Sequence, residues 1–323
     1  MKKIDIRYLR KNDAQKLVEC FEACYGDTYA NEIFYNPELI GNMIGSGALK
    51  SVVAAVEGNI VGHTGLTIRT PDALVAEAGN TVVSPNMRGQ GLLGQLGAAL
   101  RERTLIEGYV GYIHYPTTAH DIMQKSATSG TGRETGIMQA YIPAETEYNK
   151  FDESQGRLSA TVVYQPLMET PERVVYLPSH YDELVQLLTQ RLGLQRKFKS
   201  PESQRDITSE ILVTHSVKRD LTHIDITVIG NNLQQILDGA LASSQRVVHI
   251  DITMTDPCID VAVEQLISKG FMYCAWMPNF GQSDMLRMQR IQNLTSTERT
   301  PNLVTPEARQ LLNLINQEHD QSR

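Results

Sequence analysis

The chain has 323 residues, more than a single core ordinarily organises, so two domains are the default. Hydrophobic residues make up 41% and charged residues 21%, the composition of a soluble globular protein, and the formal net charge is −7. This acidic balance excludes broad non-specific nucleic-acid binding, which needs a basic face, while leaving room for a local anion pocket.

The N-terminal stretch alternates apolar residues at Ile4, Ile6 and Tyr8, a strand pattern and not a signal peptide. No run of about 18 apolar residues occurs, so no membrane span is expected and a cytoplasmic protein is. Asp13 is placed to cap a helix "DAQKLVECFEACYG", and "NPELIGNMIGSG" reads as a second, short helix. Cys20 and Cys24 stand at i, i+4 with no matching Cys/His pair nearby. With Cys258 and Cys274 they are too few for a disulfide scaffold, and buried thiols are expected with no metal site. "LKSVVAAVEGNIVGHTGLTI" is a hairpin around Glu57-Gly58-Asn59, and residues 74–83 form a further strand. A helix is expected from about Gly89 to Glu107, then a strand "GYVGYIHY", a helix "HDIMQKSATSG" and strands "TGIMQAYIP" and "SATVVYQPL". The order β-α-α-β-β-β-α-β-α-β-β predicts an α+β fold with mixed strand directions.

The prolines of "PLMETPERVVYLPSHY" suggest a linker or crossover. Beyond it come a helix "HYDELVQLLTQRLG", a loose polar segment at 197–208 and strands at 211–217 and 222–229. A helix "NNLQQILDGALAS", a strand "RVVHIDITM", a helix "PCIDVAVEQLISKG" and strands "FMYCAWMP" and "DMLRMQRI" follow. This repeats the element order of the first domain's second half. The expected division is 1–165, 166–295 and a helical tail at 296–323.

The informative stretch is "SPNMRGQGLLGQL". A helix N-terminus presents unpaired N–H groups and the positive end of a dipole, and glycine lets a backbone approach a phosphate closely. Arg88-Gly89-Gln90-Gly91 therefore suits a pyrophosphate cradle. A P-loop would need a Lys-Ser/Thr pair, absent here. "GQGLLG" fits a dinucleotide fingerprint as a string, but hairpins precede it and no acid follows at the proper place. A purely structural turn is the other alternative.

In motif and context, "VVSPNMRGQGLLGQLGAAL" resembles the acetyl-CoA motif of the GNAT N-acetyltransferases, and the element order resembles that fold over residues 1 to about 165. The resemblance implies a mixed, mostly antiparallel sheet flanked by helices, followed by a second GNAT-like α/β domain, as in bacterial proteins with two such domains. It implies pyrophosphate binding by the N–H groups of Arg88, Gly89, Gln90, Gly91 and Leu92, and strand-like pairing of Val82 and Val83 with the pantetheine arm. Leu93 departs from the family's usual Gly or Ala. The second domain has "VIGNNLQQIL" at its strand-to-helix step and resembles a degenerate copy that shapes the substrate cleft or a homodimer surface.

Implied chemistry is direct attack of a primary amine on the thioester of acetyl-CoA, with no nucleic-acid or membrane partner. It needs a free amine, a polarised carbonyl and a proton for the thiolate. Candidate bases are Glu77, His63 and His120. Each has a structural alternative: Glu77, which alternates with Ala76 and Ala78, facing solvent; His63 as a packed, hydrogen-bonded histidine; and His120 capping a helix. Where the family has a tyrosine acid stands Ala127; Ser126, Ser129, Tyr115 or water would substitute. Two readings stand: an N-acyltransferase, favoured by the intact turn, and a non-catalytic CoA-binding regulatory or interaction module, favoured by Ala127 and Leu93.

Overall fold

A computed structural model describes residues 3–70, 72–146, 156–203, 205–281 and 283–321. The chain divides into two compact units, Met1–Tyr115 with Glu145–Glu153, and Pro116–Ala144 with Ser154–Arg323.

The first unit contains β1 (Ile4–Tyr8), α1 (Ala14–Tyr25), α2 (Pro37–Ser46), β2 (Leu49–Val56), β3 (Asn59–Thr67), β4 (Val75–Val83), α3 (Leu92–Ile106) and β5 (Gly111–His114). Strands β1 to β4 pair in succession as antiparallel neighbours, and β5 joins β4 in parallel. The β2–β3 turn has positive φ at both Glu57 (51°) and Gly58 (82°), the geometry whose twist matches a two-residue hairpin. Strand β2 is apolar on successive residues because both its faces are covered. Val53 packs with Leu17, Phe21, Phe34 and Ile40 on the α1–α2 side. Val52 and Ala54 pack with Leu92, Leu96 and Leu100 of α3 on the other. Each such leucine contributes about 1.5–3 kcal/mol through burial. Asp13 does not cap α1 as expected. A 3-10 turn (Lys11–Asp13) precedes the helix, and the Asp13 carboxylate accepts from Arg7 Nη1 and Nη2 at 2.6 and 2.9 Å and from the Arg10 amide at 2.9 Å.

The second unit contains α4 (Asp121–Thr128), β6 (Arg133–Ile142), β7 (Leu158–Pro166), β8 (Arg173–Tyr176), α5 (Asp182–Leu192), β9 (Arg196–Lys199), β10 (Glu210–Ser216) and β11 (Leu221–Val228). They are followed by α6 (Leu233–Leu241), β12 (Val247–Thr253), α7 (Ile259–Ser268), β13 (Met272–Met277), β14 (Met285–Ile291) and α8 (Pro306–Gln321). Its main sheet runs β7-β6-β13-β14-β12-β11-β10. Strands β10 and β11 are antiparallel, β11 and β12 parallel, and β12 and β14 antiparallel. Side-chain alternation sorts the rows. Ile224, Ile250 and Met288 form one buried apolar row beside Ile226, Ile252 and Leu286, while His223, His249 and Gln289 lie beside Asp225, Asp251 and Arg287 on the opposite face. Where β6 meets β13, a Cβ on Gly136 would lie 2.1 Å from the Cys274 carbonyl oxygen, so only glycine permits this backbone approach.

Two expectations need correction. The supposed linker contains a four-residue strand, β8, and the loose polar segment opens on another, β9, which starts one residue before it; the two pair in parallel as a separate small sheet. Their short, lysine- and arginine-bearing sequences carry little local strand signal, and α5 supplies the crossover that parallel pairing requires. The C-terminal helix α8 packs within this unit, where Glu318 Oε2 accepts from the Tyr273 amide at 2.7 Å and Asn316 Oδ1 from Gln139 at 3.3 Å. Among the described residues no helix is long and apolar enough to cross a membrane.

Candidate ligand site at the strand-to-helix turn

Strand β4 ends at Val83. Pro85, which has no N–H to continue a ladder, opens a single 3-10 turn (Pro85–Met87), and Arg88 returns to extended backbone. Gly89 and Gly91 have φ of 76° and 74°, and Gly91 caps α3 from the left-handed region. A Cβ at either glycine would meet nothing within 4 Å, so the turn needs glycine for its dihedral angles and not for space. Helix α3 begins at Leu92, later than the expected Gly89, because these two conformations cannot continue a helix.

The result is a row of unfilled donors. No side chain caps α3, and the N–H groups of Gly89, Gln90 and Gly91 donate to no acceptor among the described residues. Those of the first helical turn have none within the helix by construction. The turn's own side chains fold back on it: Arg88 Nε donates to the Val83 carbonyl at 3.2 Å and Gln90 Nε2 to that of Asn86 at 3.4 Å. Residues 88–91 are exposed, Leu92 is buried as the first rung of the α3 stripe, and Leu93 is half-buried beside it.

Strand β4 has one flank open at the same end. Strand β3 pairs along it as far as Val83, but β5 pairs only with Val75–Ala78. The amide of Ser84 donates to Val61 on the β3 side at 2.9 Å, so strand alternation turns the Val83 N–H to the opposite, open flank. Asn80 lies just beyond Ala78, the last residue paired with β5. Its φ of 54° makes an irregularity at which the β3 register shifts between His63 and Gly65. Tyr29 and Asn31 both donate to the Asn80 side-chain oxygen, at 3.0 and 3.2 Å, and hold it there.

In the second unit the turn from β11 to α6 is filled by its own chain. The Asn231 amide donates to the Ile207 carbonyl at 2.9 Å, that of Gly230 to Ser209 Oγ at 2.8 Å and that of Ile229 to Asp256 Oδ2 at 3.0 Å. A Cβ on Gly230 would stand 2.0 Å from the Ile207 oxygen.

Val82, Val83, Arg88, Gly89, Gln90, Gly91 and Leu92 thus gather on one strand end and turn. Glu77 lies upstream on β4, still flanked by Thr67 of β3 and Ile113 of β5. His120 and Ser126 belong to the other unit. His120 precedes α4 without a side-chain cap bond, and Ser126 is exposed on that helix, next to buried Ala127. His63 is fully buried with both ring nitrogens engaged, to the Asn80 carbonyl at 2.7 Å and Ser51 Oγ at 2.8 Å. Burial holds its pKa at about 4, so it is neutral at pH 7 and committed to packing.

One residue escaped the sequence reading. His114 ends β5 opposite Ala78, the last register before β4 and β5 part. Its Nε2 is buried without a hydrogen-bond partner among the described residues, its ring meets Tyr112 edge-on at 5.0 Å, and burial lowers its pKa to about 4. In sequence it is only the last strand residue before a tyrosine; its position follows from register.

Arg88 also reaches the cysteine pair of α1. Cys24 is lowered in pKa by its neighbour Cys20 and then by Arg88, while Cys20 is raised by its hydrogen bond to Cys24 and by burial. All four cysteines are buried.

Solved structures similar to this chain include an N-acetyltransferase from Staphylococcus aureus Mu50, 16% identical over 51% of this chain and 98% of that one, with a TM-score of 0.40. A ribosomal-protein-alanine N-acetyltransferase from Brucella melitensis is 19% identical over 50% of this chain and 99% of its own, with a TM-score of 0.40. The protein yncA from Salmonella typhimurium, solved with its cofactor acetyl-CoA, is 15% identical over 52% and 96%, with a TM-score of 0.42. No protein-family model and no curated protein sequence matches the chain.

Proposed function

We propose that the chain is an acyl-CoA-dependent N-acyltransferase, using acetyl-CoA and moving the acyl group to a primary amine by direct attack. The carrying observation is the turn at 88–92. Its open backbone donors, the N–H groups of Gly89, Gln90 and Gly91, stand at the positive end of a 15-residue helix, next to the open flank of β4, and fit a pyrophosphate followed by an extended amide-bearing arm, while the Arg88 N–H is held by the Pro85 carbonyl at 3.4 Å. On this reading, the Val83 N–H polarises the thioester carbonyl, whose oxygen gains charge as the amine attacks. Glu77 takes the amine proton as general base. His120 is the second candidate for that base, and Ser126 the candidate for giving a proton to the departing thiolate.

The proposed division is a CoA-binding domain at 1–165, a second domain of the same ancestry at 166–295 and a tail at 296–323. The second domain's self-filled turn at 229–231 supports its having lost the phosphate site. It then shapes the acceptor cleft or a surface between two copies of the chain. A second reading, a CoA-binding module without turnover, draws on Ala127, which is buried in α4 and offers no acid.

The test is acetyl-CoA binding followed by thioester-dependent release of free CoA across a panel of amines. Release with any amine supports the transferase. A thermal shift with acetyl-CoA but no release selects the binding module, and no shift at millimolar acetyl-CoA sinks both.

A further inference from the structure

The polar face of the second unit's sheet carries a cluster unrelated to the turn. On it, His223 and Asp225 of β11 lie beside His249 and Asp251 of β12 and Arg287 of β14. One donor atom from each of His223, Asp225 and Asp251 lies within 4.8 Å of the others. The spacing is informative. His223 Nε2 is 3.4 Å from Asp225 Oδ1 and 3.3 Å from Asp251 Oδ2, longer than a charge-assisted hydrogen bond and nearly equal. Arg287, by contrast, meets Asp251 at 2.6 and 2.8 Å. Metal bonds of about 2.0–2.2 Å in tetrahedral geometry would separate neighbouring donors by roughly 3.3–3.5 Å.

A second observation is independent of those carboxylates. His249, on the same face and in register with His223, is buried, and its Nε2 has no hydrogen-bond partner among the described residues. Its other surroundings are a stacked Tyr141 ring at 5.6 Å and the charges of Arg287, His223, Asp251 and Arg219. This buried, unpartnered imidazole borders the cluster on the same sheet face without being one of the three donors gathered there.

We propose that His223, Asp225 and Asp251 form a three-donor site for one divalent transition-metal ion of the zinc class, with the fourth position left to water. Nitrogen and carboxylate donors suit zinc better than magnesium or calcium, which prefer oxygen alone. Arg287 plays the outer role. It holds Asp251 through both oxygens and fixes the carboxylate's orientation, leaving Oδ2 a lone pair toward His223. The half-exposed His223 and Asp225 provide the way in, while Asp251 is wholly buried. The site is independent of the acyl-transfer reading.

The experiment is calorimetric titration of the full chain, stripped with a chelator, with zinc chloride at neutral pH. One equivalent should bind with micromolar or tighter affinity. Asp225→Asn and His223→Gln should each weaken binding by at least about tenfold. The double variant Cys20→Ser/Cys24→Ser should bind like the unaltered chain. Circular dichroism checks that each variant is folded. X-ray absorption at the zinc edge of the unaltered protein, which depends on no variant, should show nitrogen and oxygen neighbours with imidazole scattering. No zinc uptake, a sulfur shell, or unchanged affinity in folded Asp225→Asn and His223→Gln would each overturn the site and leave the cluster an ion-pair network.

Discussion

His63 donates from Nδ1 to the main-chain carbonyl of Asn80 across 2.7 Å. A carbonyl can only accept, so the proton sits on Nδ1, and Nε2 accepts from the Ser51 hydroxyl at 2.8 Å. The pair clamps the irregularity at which β4 leaves β5.

The clamp has a pH signature. Burial lowers the His63 pKa from 6.5 to about 4, so between those values the unfolded chain binds a proton that the folded chain refuses. The stabilisation is complete above about pH 6.5 and falls away as pH drops toward 4, by up to about 3 kcal/mol. Urea unfolding across that window should show the loss, and His63→Leu should flatten part of it. An unchanged slope in folded His63→Leu would refute the assignment.

Substituting the turn glycines should separate conformation from contact. Gly91→Ala places a side chain in open space but at a φ of 74°, so it should cost about 1–2 kcal/mol. It should also weaken the thermal shift produced by acetyl-CoA, as should Arg88→Glu, which sets like charge beside the pyrophosphate. Full retention of the shift in both variants would count against the turn as the phosphate site.

Gly230→Ala tests the opposite case. A methyl 2.0 Å from the Ile207 carbonyl forces the backbone apart, so a loss of several kcal/mol is expected on the scale of severe core substitutions. Affinity for acetyl-CoA should be unchanged in the folded fraction. A crystal of the complex should show phosphate at 88–92 and none at 230–234; phosphate at the second turn would reverse the roles of the two domains.

His120 is tested by comparing two substitutions. If it moves a proton, His120→Ala and His120→Asn should both lose at least about tenfold in turnover. If it only supports the start of α4, the asparagine variant should keep near-normal turnover while alanine lowers the melting temperature, and the proton-transfer role should be dropped.

The sequence by itself determined what rests on local chemistry. The β-branched runs of β2 and β3 around Glu57-Gly58, the proline that ends β4 and the glycine-bearing turn before α3 are all legible because dihedral and strand preferences act within a few residues. Strands β8 and β9 were not legible: four-residue parallel partners are stabilised by pairing across α5, not by their own sequences. The fate of the two strand-to-helix turns was decided only in three dimensions. Nothing near Gly230 announces that Ile207, more than twenty residues upstream, fills its space, nor that Gly89 and Gly91 stay open. His114 and the His223–Asp225–Asp251 cluster likewise exist only through register, because hydrogen-bonded strands bring together residues whose separation along the chain carries no signal.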